Sequence, residues 1–146
     1  MSSKRRVVAN RARDLAGPIH KWENMENNTY HIIIVDKSLK DVTALKRFEI
    51  LSQTTDGGWI LYKLAVRENN LTGTIKFIQE NMYEGNWYFH AYNEDGSKLA
   101  IVFKDKAFRT DNDPKHWNTV INYGVSQGTP KEQLDFTPNT FDSETF

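Results

Sequence analysis

Tyr88, His90 and Tyr92 alternate along one run, so in an extended chain two phenol rings and an imidazole line up on the same side. A titratable imidazole between flat rings can stack on a nucleobase, grip a ring-bearing ligand, or serve as a general base when held rigidly. Downstream, Asn93-Glu94-Asp95-Gly96 carries the residues of a hairpin turn. Its even length places Leu99, Ile101 and Phe103 on the face of Tyr88, His90 and Tyr92. Trp87, Phe89, Ala91, Ala100, Val102 and Lys104 take the opposite face. Within that second set, the run from Trp87 to Val102 has no phenol or imidazole to satisfy and is the better core, leaving the Tyr88–His90–Tyr92 row as the expected recognition face. Aromatic alternation is also ordinary in strands, so an oligomer interface or a second core layer competes with that reading.

Cationic side chains follow the hairpin: Lys104, Lys106 and Arg109 at its end, and Arg67 at the end of an earlier strand. If these ends converge they make a phosphate-sized basic pocket, with arginine forks for two-point contact and lysines as point charges. Edge protection of a sheet is the competing account. The expected ligand-binding set is therefore Tyr88, His90, Tyr92, Arg67, Lys104, Lys106 and Arg109. A separate basic arm, Lys4, Arg5, Arg6, Arg11 and Arg13, has no acid among residues 1–13 and suits either phosphate contact or solubilisation of a terminus.

Catalytic and metal signatures are missing. The other histidines, His20, His31 and His116, form no H-x-H or H-x-x-x-H spacing, and there is no cysteine, so no metal or other cofactor is expected. No phosphate-binding Gly-Lys loop, nucleophile elbow or dinucleotide glycine motif is present. The paired carboxylates Glu94-Asp95 and Asp111/Asp113 sit where turns and caps explain them. If the chain were an enzyme, His90 would be its general base.

The elements that must position these groups fit one domain of 146 residues, with 12% aromatic residues to build a core from only 38% apolar ones. Lys and Arg number 19 and so do Asp and Glu, which leaves no net field to draw the whole molecule to nucleic acid or membrane. Lack of cysteine, of a leader-like apolar run and of a membrane-length segment point to the cytoplasm and away from a membrane. A basic, partly flexible arm over 1–29, an α+β domain over 30–137 and an acidic tail over 138–146 are expected, with Phe141 and Phe146 able to dock.

Along the chain, Tyr30 to Val35 has four consecutive β-branched residues after an aromatic and predicts a central strand covered on both faces. Leu39, Val42, Leu45, Phe48 and Leu51 step by three and suggest a helix over 39–51, with a strand over 47–52 as the competing reading. Trp59 to Val66, after Asp56-Gly57-Gly58, is a strand in either case. Leu71, Ile75, Ile78 and Met82 predict an amphipathic helix capped by Asn70. Strands over 86–92 and 98–104 follow. Asp113-Pro114 opens a helix over 114–123 stopped by Gly124, and Thr129 with Glu132 reads as a reciprocal capping box before a short turn ending near Phe136.

This order predicts a mostly antiparallel sheet of about four strands with helices on one side, a loosely ferredoxin-like sandwich, plus short C-terminal helices. The aromatic row and basic edge point to a non-catalytic binding or regulatory protein, and phage or mobile-element origin is an association of small motif-free binders, not a reading of these residues. A nucleotide-like anionic ligand is expected on the aromatic and basic sheet surface, and mixed apolar faces suggest a homo-oligomer. Nucleic-acid binding through the arm, and a small hydrolase or isomerase using His90 with Arg67 or Arg109, are the alternatives.

Overall fold

A computed structural model describes residues 28–146, so the expected arm residues Lys4, Arg5, Arg6, Arg11 and Arg13 lie outside the described part. The fold is α+β, but its sheet has six strands, where about four were expected. They are β1 (Thr29–Val35), β2 (Glu49–Asp56), β3 (Trp59–Arg67), β4 (Tyr88–Tyr92), β5 (Lys98–Phe103) and β6 (Ala107–Asp111). All pair antiparallel in the order β2-β3-β1-β4-β5-β6. Helix α1 (Glu68–Glu80) crosses one face, and α2 (Asn118–Ser126) lies on the other. Three strands precede α1 and three follow it, so the likeness to ferredoxin-like sandwiches goes no further than helix-on-sheet layering.

The two extra strands have physical reasons. Apolar residues stepping by three match the period of a 3-10 helix, and Val42–Arg47 forms one. The chain then extends into β2, so the competing strand reading holds and the helix over 39–51 does not. β6 is a short edge strand with only Phe108 as a large apolar residue, so it carries too little apolar alternation to be read as a strand. β1 sits between β3 and β4 as its β-branched run requires, with Ile32 and Ile34 fully enclosed.

The first face of the sheet presents Tyr30, Ile32, Ile34, Leu64, Val66, Phe89, Ala91, Ala100 and Val102 to Leu71, Ile75 and Ile78 of α1. The hairpin set chosen from the sequence as core is therefore under the helix. α1 begins two residues before Asn70, at Glu68, and its N-cap position is Arg67 without a side-chain cap. Strand register draws the chain straight from β3 into the helix there, which moves Asn70 into the first turn.

The second face is also a core, so the second-core reading that competed with an open recognition face is the one that holds. Tyr92, Leu99, Ile101 and Phe103 pack against Trp117, Val120, Leu134 and Phe136. Asp113 caps the short 3-10 turn Pro114–His116 by accepting from the Lys115 amide, as its grammar predicts. Gly124, however, does not stop the following helix. It lies inside α2 because a Cβ there would come within 2.7 Å of Leu134 Cδ2 and 3.3 Å of Phe103 Cζ. Thr129 makes no capping box; its hydroxyl donates to the Asn86 carbonyl. A reciprocal box forms instead at Thr140 and Ser143, around the 3-10 turn Phe141–Ser143.

Residues 138–146 lie against this second face and do not hang free. Pro138 packs on Gly96, whose φ of +77° makes the expected hairpin turn. The Phe141 amide donates to the Glu94 carbonyl at 2.9 Å.

Candidate functional site

Cross-strand register builds the second face in rows. One row runs Glu49, Ala65, His31, Tyr92, Leu99, Thr110; the next runs Ser52, Lys63, Ile33, His90, Ile101, Phe108. A bulge between Ile50 and Ser52 turns Ser52 onto this face. His31 and Tyr92 are direct neighbours, while Lys63 is diagonal to His31, so three polar side chains from three adjacent strands reach a common point.

That point holds the Glu144 carboxylate. Lys63 Nζ donates to Oε1 at 2.8 Å, and His31 Nδ1 and the Tyr92 hydroxyl each donate to Oε2 at 2.5 Å. The group is nearly sealed: side-chain exposure is 6% for Lys63, 9% for Glu144 and 11% for His31. Phe141 stacks on the His31 imidazole with centroids 3.6 Å apart and planes 6° from parallel. Lys63 also lies 4.8 Å from the Phe146 ring centre, beneath which its charge is held.

Protonation states follow from this packing. Burial would raise the Glu144 carboxyl, but the donors on Lys63, Tyr92 and His31 outweigh it and hold it below its usual range. Burial pushes His31 below its ordinary value despite Glu144, so the imidazole is neutral at physiological pH. The Tyr92 phenol is pushed up by burial and by the carboxylate it serves. The result is a carboxylate receptor of one ammonium, one neutral N–H and one O–H, with an imidazole face for a ring.

The residues expected as a site are only partly brought together. Tyr92 belongs to this cluster. Tyr88 points its hydroxyl at the Gln133 carbonyl, 2.6 Å away, with its ring against Phe136 and Phe103. His90 has its Nδ1 sealed without a hydrogen-bond partner, and burial lowers its basicity, with Asp135 partly offsetting this. The cationic residues do not converge. Lys104 donates to the Gln79 carbonyl at the end of α1, and Arg109 donates to Thr72 on that helix. Lys106 stacks beside Phe108 and Tyr123 on the other face, and Arg67 is exposed where β3 meets α1. The expected basic pocket is not assembled: Lys104 and Arg109 reach different turns of α1, while Lys106, in the connection between β5 and β6, lies on the other face.

His31 and Lys63 were missed as site residues. The available signal was a lysine in the middle of Trp59-Ile60-Leu61-Tyr62-Lys63-Leu64-Ala65-Val66, where a buried charge demands a partner, together with a glutamate set between Phe141 and Phe146. Among the described residues no group of three or more His, Asp or Glu is arranged to hold a metal. No helix among them is long and apolar enough to cross a membrane. The chain matches no family model, no curated protein and no solved structure.

Proposed function

We propose that this is a non-catalytic binding or regulatory protein whose second sheet face takes an anionic, ring-bearing, nucleotide-like ligand. Its anion would sit on Lys63, His31 and Tyr92, and its ring on the face of His31. The observation that carries this reading is the pair of groups already seated there, a carboxylate on three donors and an aromatic ring at 3.6 Å from the imidazole. Charge-assisted hydrogen bonds in a dry site are the strong kind, and three of them from strand-borne side chains fix an anion without reorganisation.

The proposal uses Tyr92 from the expected row and replaces the dispersed cations with Lys63. A hydrolase or isomerase built on His90 gains no support, because Arg109 turns to α1 on the opposite face and Arg67 stands exposed where β3 meets α1. The nucleic-acid reading rests on residues outside the described part.

Isothermal titration of ADP, AMP, adenosine and inorganic phosphate into the intact Glu144→Gln chain tests the reading, since that variant no longer neutralises Lys63 with its own carboxylate. ADP should bind more tightly than either phosphate or adenosine alone, and adding Lys63→Met should weaken it at least about tenfold, the loss of one charged partner. Absence of ADP binding, or equal binding with Met at 63 in a folded chain, overturns it.

A further inference from the structure

We infer that residues 139–146 are an exchangeable strap, a built-in peptide ligand that competes for the anion site and governs access to it. The inference rests on the anion site proposed above, and it concerns what occupies that site and how it is vacated.

The strap is attached differently from the rest of the second layer. Upstream, Leu134 and Phe136 are buried at 4% and 0% exposure and belong to the core itself. Beyond Pro138 no strand pairing holds the chain; it makes a three-residue 3-10 turn with Asp142, Ser143 and Thr145 exposed. Its grip includes the Phe141 amide on Glu94, the Phe141 ring on His31 and edge-on to Tyr92, the Glu144 carboxylate and the Phe146 ring near Lys63. All of these but the first are side-chain contacts to the receptor residues themselves. Departure of the strap therefore breaks no sheet hydrogen bond, while it uncovers Lys63, His31 and Tyr92 together.

The spacing of the contacts also defines what the cradle reads. The ring of Phe141, at the start of the 3-10 turn, and the carboxylate of Glu144, the residue that follows it, reach the same cluster from three positions apart. A free peptide with an aromatic residue and a glutamate at that spacing presents the same two groups. A closed strap lowers the apparent affinity for any competitor by the fraction of molecules in which the site is open.

A fluorescently labelled peptide of residues 138–146 is titrated into the intact wild-type chain, into Phe141→Ala/Glu144→Gln, and into that double variant carrying Lys63→Met. Circular dichroism and the milder Glu144→Gln variant guard against loss of fold. The peptide should bind the double variant at least about tenfold more tightly than wild type, and Lys63→Met should remove that gain. Equal binding to wild type and double variant, or none to a folded double variant, overturns the strap. Addition of unlabelled ADP separates the two proposals. Peptide binding that ADP fails to displace leaves the strap standing and removes the nucleotide reading, whereas ADP binding with no peptide exchange does the reverse.

Discussion

Lys63 is the residue on which the second face turns, because an ammonium at 4% residue exposure is tolerable only with a carboxylate at hand. Its partner and the two other donors to that partner give the molecule a defined response to acid. Glu144 has a folded pKa below its usual value of 4.5, so its contribution is present above that value and is lost as pH falls through the folded one. His31 and His90 are both held below 6.5, so below that pH the unfolded chain takes up protons first and the folded state loses ground. His116, raised by the Asp111 carboxylate 2.8 Å away, works in the opposite sense, but it is exposed and screened by solvent. Stability in urea should therefore decline below about pH 6.5 and again below about pH 4.5, with the lower step reduced in Glu144→Gln. A flat profile from about pH 7 to pH 4 would show that these groups are not buried as described. Little of this was legible in the sequence, since Lys63 and Glu144 are 81 positions apart and only strand register and the returning chain bring them together.

At the scale of elements, the two helical glycines give opposite expectations. Gly73 in α1 has nothing within 4 Å of where a Cβ would stand, so Gly73→Ala should stabilise by up to about 1 kcal/mol through helix propensity. Gly124 in α2 faces Leu134 Cδ2 at 2.7 Å and Cδ1 at 3.0 Å, and Leu134 is itself buried. Overpacking of about 1–3 kcal/mol then exceeds the same helical gain, and Gly124→Ala should lower the melting temperature. A rise for both would mean that α2 does not press on Leu134. Elements with a local cause were readable: the β-branched run of β1, the Asp-Gly hairpin joining β4 to β5, the apolar stripe of α1 and the Asp113-Pro114 cap. Those missed had a distant cause. β6 is an edge strand recognisable only by its neighbour β5, and Gly124 reads as a helix stop until Leu134 is placed against it.

For the whole molecule, both faces of the sheet are covered, one by α1 and the other by α2 with the returning segment 129–146. The sequence marks the first layer as core and leaves the second undecided between a recognition face and a second core layer, because its covering residues Trp117, Val120, Leu134, Phe136 and Phe141 are spread over separate short elements with no common period. The strand order carries a separate consequence. β2 with β3, and β4 with β5 and β6, are each joined by short connections, whereas β1 must insert between β3 and β4 from the far end of the described chain. Local pairs close early and distant ones late, so the β2-β3 hairpin and the β4-β5-β6 meander are expected to be substantially formed in the folding transition state and β1 to enter afterwards as their common seam. Ile32→Val, in that seam, should then accelerate unfolding and barely change the rate of folding, and a chevron showing the reverse would place β1 in the nucleus.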